Sequence, residues 1–257
     1  MNLDCQSFYV TLPSNSSTEY YPENALSTFH NKLNAPFHLE GAWEVALAEI
    51  SYPNNVENVL NNAGDNSLLI NSSIDSTQAS VVLKPGRYAS VQQVCELVNH
   101  QQSLVEFVYD GTSCKTLVRN KTAFPVYIQF PGRLGLLLGF IPHHLYEVKD
   151  SIENDIPIDL AAGISHYFMY CNICEPQMVG DAYAKLLRIL PRSDIISSAS
   201  VIHRDYANLH YLPIQKDKTV SVIRIDICLE DGSYVPFANS GKVIVVLHFR
   251  KRSFYGY

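Results

Sequence analysis

Cys171 and Cys174 form the one Cys-x-x-Cys pair of the chain. That spacing could serve a metal or a dithiol redox centre. A structural zinc needs four ligands, and the nearest histidines, His166 and His203, do not make a second ligand pair. A redox dithiol sits before a helix in an α/β unit, whereas this pair lies in an apolar, strand-like run, so the sequence predicts two buried strand thiols. His143 and His144 are adjacent, and neighbours in an extended chain point to opposite faces, which does not favour chelation of one ion. His248 alternates with core positions and is expected to be a satisfied, partly buried side chain. Glu44 and Glu49 could be imagined as an acid/base pair, but two carboxylates on one strand more often mark an edge or solvent face. No Gly-x-Ser-x-Gly elbow and no His-Glu-x-x-His is present, and Gly132, Gly135 and Gly139 lack the Lys-Ser/Thr of a phosphate loop. No catalytic, cofactor-binding or metal-binding residue is assigned, and no enzyme activity or cofactor is expected.

The elements around these residues read as strands. Phe8 to Leu12 and Trp43 to Ile50 are β-type runs separated by a polar loop punctuated by Pro13 and Pro22. Trp43, Val45 and Leu47 fall on one face of the second run, with Glu44, Ala46 and Ala48 on the other. Ile223, Ile225, Ile227 and Leu229 alternate with Arg224, Asp226, Cys228 and Glu230, which predicts a half-buried strand. Asp231-Gly232 then supplies a two-residue hairpin turn with Gly232 at positive φ. Pro236 confines the returning Tyr234 to Phe237 to a sheet edge or strand end. Val243, Val245, Leu247 and Phe249 alternate in the last strand, and Ile244 and Val246 predict cover on its second face as well. Leu104 to Tyr109 and Phe124 to Phe130 read as further strands. Two helices are expected. Ser90 and Gln93 form a capping box ahead of Val91, Val94, Cys95 and Val98, and Arg133 to Leu138 ends at a left-handed cap on Gly139.

Many short strands, frequent turns and few helices predict an all-β antiparallel sandwich. The expected organisation is a single viral jelly roll over 1–257, with loop insertions roughly at 85–160 carrying one or two short helices. At 257 residues the chain is long enough to bury a large core. Charged residues are 17% of it, below the average of about 25%. Sixteen Tyr and eleven Phe add aromatic surface suited to subunit contacts. The net charge of −6 argues against broad nucleic-acid binding, and Arg250-Lys251-Arg252 is too small a basic cluster to reverse that. Six cysteines in this length do not make a disulfide scaffold. The N-terminus has no secretory signal pattern, and the apolar run Leu134 to Ile141 is far short of a membrane span. The expectation is a protein made inside the host cell, with Asn15, Asn71 and Asn120 unglycosylated.

The opening Phe8-Tyr9-Val10-Thr11-Leu12-Pro13-Ser14-Asn15 with Trp43 to Ile50 resembles the minor capsid (penton) proteins of Polinton/Maverick elements and their adintovirus relatives. Lys84-Pro85-Gly86-Arg87-Tyr88, Leu137-Leu138-Gly139-Phe140, Tyr170 through Asp181, Leu186-Leu187-Arg188 and Gly241 through Arg250 extend the resemblance over most of the chain. It implies a structural virion protein: a jelly-roll subunit that forms homopentamers at icosahedral fivefold vertices, beside a separate double jelly-roll major capsid protein. A β-sandwich recognition module, lectin-like or receptor-binding, is the alternative, and a hydrolase with an unrecognised site is a third, weaker one. The closing Ser253-Phe254-Tyr255-Gly256-Tyr257 places three aromatics where chain ends are normally polar. Phe254, Tyr255 and Tyr257 are accordingly candidate interface anchors.

Overall fold

Three strands open the chain in the computed structural model, which describes residues 6–60, 65–72, 78–192, 201–215, 218–238 and 241–252. They are β1 (Ser7–Pro13), β2 (Thr28–Leu39) and β3 (Trp43–Pro53). Next come β4 (Ser67–Ser72), β5 (Gln78–Val82), α1 (Val91–Gln101), β6 (Val105–Asp110), β7 (Lys115–Asn120), β8 (Val126–Gln129), α2 (Gly132–Leu138), β9 (Leu145–Val148) and β10 (Ser151–Glu153). The chain closes with β11 (His166–Cys171), β12 (Gln177–Val179), β13 (Ala182–Ala184), β14 (Leu186–Pro191), β15 (Val201–Asp205), β16 (Leu212–Ile214), β17 (Lys218–Cys228) and β18 (Ile244–Lys251). Two compact units result, one from 1–56 with 165–257 and one from 57–164.

In the first unit the strand orders are β1-β18-β3-β15, with β16 also on β3, and β14-β11-β17-β2. β15 and β16 pair with successive parts of β3, so they are two pieces of one interrupted strand position. The eight positions then pair first with last, second with seventh, third with sixth and fourth with fifth, all antiparallel. That is a long hairpin rolled into two sheets, the jelly-roll winding. The inner faces meet through Phe8 against Phe37 at 5.2 Å and Tyr52 against Tyr167 at 6.0 Å between ring centroids. Val45, Ile50, Ile223, Ile225, Val245, Leu247 and Phe249 fill the core between them.

Periodicity explains most of these strands, and pairing explains where it breaks. The alternation of β17 buries Ile223, Ile225 and Ile227 as expected. β3 changes face midway: Val246 lies opposite Glu49 but Leu247 opposite Leu47, so Ala48 is an extra, bulged residue. Inward positions therefore run Trp43, Val45, Leu47 and then Ile50, Tyr52. The turn after β17 is one residue longer than predicted. Gly232 N–H donates to Leu229 O at 3.1 Å, and Leu229 N–H donates to Ser233 O at 2.8 Å. This encloses Glu230, Asp231 and Gly232 in a three-residue loop, with Gly232 at φ 81°. The second face of β18 is half-buried at Ile244 and Val246.

The second unit holds the sheets β5-β4-β8-β9 and β10-β7-β6, seven strands, together with both helices; five of those strands, β6 to β10, fall in the expected loop region of roughly 85–160, which belongs to a unit with a core of its own. Phe130 stacks on Phe140 at 4.2 Å, and Phe107 and Tyr146 meet Phe130 edge-on. Ser90 caps α1, its hydroxyl accepting from Gln93 N–H at 3.2 Å, while the Gln93 side chain reaches back one residue further, to Ala89 N–H. Asparagines close the loops. Buried Asn58 accepts from Tyr88 N–H at 2.8 Å and donates to Tyr88 O and Leu160 O, and Asn99 pairs likewise with both backbone groups of Phe107. Each satisfies backbone groups that no strand partner reaches.

Candidate functional site

The outward face of the β1–β18–β3 sheet carries a connected polar network. Register places Tyr9 opposite His248 and Arg250 opposite Glu44. The Tyr9 ring stacks on His248 at 4.3 Å, and the Tyr211 hydroxyl lies 2.6 Å from His248 Nδ1. Arg250 spreads over the Tyr211 ring at 3.4 Å and donates through Nε to Glu44 at 2.9 Å. Arg252 Nε lies 3.7 Å from the same carboxylate. Two of the three cations in the basic cluster are thus committed to one half-buried glutamate. His248 is a satisfied, partly buried side chain, as the alternation predicts; burial, then the Arg250 charge, lowers its pKa from the ordinary value. Glu44 serves ion pairing with Arg250 and Arg252.

Cys171 ends β11 and Cys174 follows a two-residue turn, in an antiparallel bridge to Ile214, both buried and reduced. Cys174 Sγ donates to Cys171 O at 3.2 Å and to Lys185 O at 3.5 Å. Burial, then the neighbouring thiol, pushes Cys171 up to about 12, and burial pushes Cys174 up to about 11. Nucleophilic attack and metal ligation both use the thiolate, which this pocket disfavours. Among the described residues no group of three or more His, Cys, Asp or Glu side chains gathers as a metal site. His143 and His144 lie in the turn after Pro142, His143 at φ 60° and His144 edge-on to Tyr146. Phe254, Tyr255 and Tyr257 lie outside the described residues.

Two surface features carry no motif in the sequence. β12 and β13 pair only with each other and bring Met178 opposite Tyr183, 61% and 76% exposed. On the edge strands β14 and β15, Arg188 pairs with Met169 and Arg204 with Ile50, both core residues. Both guanidiniums therefore stand on inner faces of the sandwich, at its edge. Exposed Met and Tyr are ordinary in a sequence, and only pairing shows that these arginines face inward.

No protein-family profile and no curated protein matches the chain. Among solved structures, the crystal structure of the mavirus penton protein superposes with a TM-score of 0.56 over 96% of this chain and 99% of its own, at 11% identity. A chain of the Sputnik virophage structure covers 99% of this chain and 100% of its own, also at 11% identity, with a TM-score of 0.48. Among the described residues no helix is long and apolar enough to cross a membrane. The winding of the first unit and the mavirus superposition together give the chain its fold: an all-β jelly roll, the fold of the mavirus penton protein.

Proposed function

We propose that the protein is a minor capsid (penton) subunit, working by assembly and not by turnover, and forming homopentamers at the fivefold vertices of an icosahedral virion. The observation that carries this reading is the eight-position jelly roll interrupted by 57–164, in a chain that superposes over nearly its full length on the mavirus penton protein. The sequence resemblance to Polinton/Maverick penton proteins supports it independently. The major double jelly-roll capsid protein is the expected second partner, the virion the site of action, and the chain 1–257 one jelly-roll subunit with the unit 57–164 inserted in it. Identical subunits in a cyclic ring leave no open ends, and each contact needs about 1,000 Å² or more of buried surface to persist. Light scattering and negative-stain imaging of the purified protein should show closed fivefold rings, formed alone or with the major capsid protein. A monomer under both conditions overturns the assignment. Phe254, Tyr255 and Tyr257 are proposed as anchors of an arm on the neighbouring subunit or capsid protein. Deleting residues 253–257 should then leave the melting curve intact and stop assembly.

The second unit favours one further reading. The outward face of β5-β4-β8-β9 aligns Ser80, Leu69, Gln129 and Leu145 in one row and Gln78, Asn71, Tyr127 and Glu147 in the next. Planar amides beside a tyrosine suit an uncharged, hydroxyl-rich ligand such as a glycan. Retention on a glycan array, lost on Tyr127→Ala, tests a receptor-binding role.

A further inference from the structure

A pocket of about 420 Å³ opens in the first unit between Ser17 to Tyr20, in the loop after β1, and Lys32 to Asn34 of β2. That size lies in the range of ligand pockets, about 300–1,000 Å³. We infer that it holds a neutral sugar ring, the terminal residue of an uncharged glycan. The pocket is built from the first unit alone, shares no residue with the amide rows around Tyr127, and does not depend on the oligomeric reading above.

Both walls are fixed by the chain itself. Asn24 ties the loop down: its Nδ2 donates to Ser16 O and to His30 O, and its Oδ1 accepts from His30 N–H, each at 2.9 Å. Tyr21 stacks on His30 at 4.7 Å between ring centroids. Ser17 stands at φ 58°, its carbonyl accepting from Tyr20 N–H at 3.0 Å and Tyr21 N–H at 2.9 Å. Its hydroxyl accepts from Lys32 N–H at 3.0 Å, which joins the loop to β2. Left-handed backbone is costly for a residue with a Cβ, and such residues cluster at functional sites. The second wall is a break in an edge strand. Lys32 pairs with Val222 and Phe37 with Val220, which sets residues 33–36 against Ser221 alone. Bulges re-aim side chains and are frequent at sheet edges and beside active sites.

Charge and hydrogen-bonding capacity select the ligand. Lys32 Nζ lies over the Tyr20 ring, 3.5 Å from its centroid, and Glu19 lines the same pocket, yet no ion pair joins the two. An anionic ligand would gain Lys32 and meet Glu19, and a cationic one the reverse. A neutral diol uses both, donating to the carboxylate and accepting from the ammonium, and hydrogen bonds to ionised partners are the strong ones. Thr18 and Asn34, both exposed, add a hydroxyl and an amide that can donate and accept. The side chains of Thr18, Glu19 and Asn34 have no hydrogen-bond or ion-pair partner among the described residues, so no internal contact must break for a ligand to reach them. Tyr20 is 60% exposed, which leaves ring area for the C–H face of a sugar beside the face that Lys32 covers. Leu33 is the one aliphatic side chain of the lining, too little to hold an apolar ligand.

The test probes an array of neutral-ended and sialic-acid-ended glycans with the full chain and with its Tyr127→Ala variant, which sets aside the amide face of the second unit. Neutral-ended glycans that Tyr127→Ala still retains are the expected result. Adding Glu19→Ala or Asn34→Ala, each removing a side chain that holds nothing else in place, should weaken that retention at least about tenfold at an unchanged melting temperature. Saturation-transfer NMR with the methyl glycoside of the retained terminal sugar should show contact in the full chain and lose it in both pocket variants. The inference is overturned if Tyr127→Ala retains no neutral glycan, if only sialylated glycans are held, or if binding survives both Glu19→Ala and Asn34→Ala. Each of those results leaves the penton reading standing, because ring formation is measured separately.

Discussion

Gly139 and Gly232 adopt nearly the same left-handed backbone, φ 82° and 81°, in opposite surroundings, and replacing each by alanine separates backbone strain from collision. A Cβ on Gly232 would meet nothing within 4 Å. A Cβ on Gly139 would lie 2.8 Å from Ile156 O and 2.9 Å from Asn154 Cβ. Left-handed backbone costs an L-residue about 1–2 kcal/mol, and removing glycine's freedom in the unfolded chain returns about 0.4–1 kcal/mol. Gly232→Ala should therefore lose about 0.5–1 kcal/mol. Gly139→Ala bears the same backbone cost, and a backbone oxygen cannot swing aside as a long side chain can. Overpacking of this kind adds about 1–3 kcal/mol, giving a loss of roughly 2–4 kcal/mol. The collision also threatens the α2 cap, where Gly139 N–H donates to Leu136 O, and the bond from Ile156 N–H to Gly139 O at 3.1 Å. Urea unfolding followed by circular dichroism, with hydrogen exchange to localise the loss, measures both. Equal losses at the two glycines, or a Gly139→Ala protein as stable as wild type, would refute the steric argument.

Three further outcomes are expected. Ser90→Ala removes the side-chain acceptor for Gln93 N–H and should cost about 1 kcal/mol, seen as faster amide exchange in the first turn of α1. Native Cys171 and Cys174 should resist iodoacetamide at pH 8 while exposed Cys114 reacts at once, and a zinc chelator should leave the melting temperature unchanged; fast labelling of the pair, or melting on chelation, would contradict their burial as inert thiols. The lowered pKa of His248 means that the unfolded chain takes up its proton first, so this contribution to stability is full above the unfolded value of about 6.5 and is lost as pH falls through the folded value. His248→Gln should flatten the decline in melting temperature as pH falls below about 6.5, and an unchanged slope would assign that decline to other groups.

Local pattern by itself determined the all-β class, the alternation of β17, the capped start of α1 and the left-handed end of α2, because period and cap chemistry act over a few neighbouring residues. It also marked His248 as a partly buried strand residue and the Cys-x-x-Cys pair as buried. It read Cys171 and Cys174 as one strand-like run, whereas a two-residue turn separates Cys171 in β11 from Cys174 in its bridge to Ile214, and it drew the turn at Gly232 one residue short. Only the tertiary structure decided matters that depend on partners far along the chain. The Ala48 bulge exists because β18, some two hundred residues later, fixes the register of β3. Residues 57–164 hold a separate core because their apolar side chains meet across sheets that no short window reveals. Arg188 and Arg204 look like ordinary solvent-facing charges in sequence, and they face inward only because pairing sets them beside Met169 and Ile50. Strand periodicity says which residues share a face, but register against distant strands decides which face is the core.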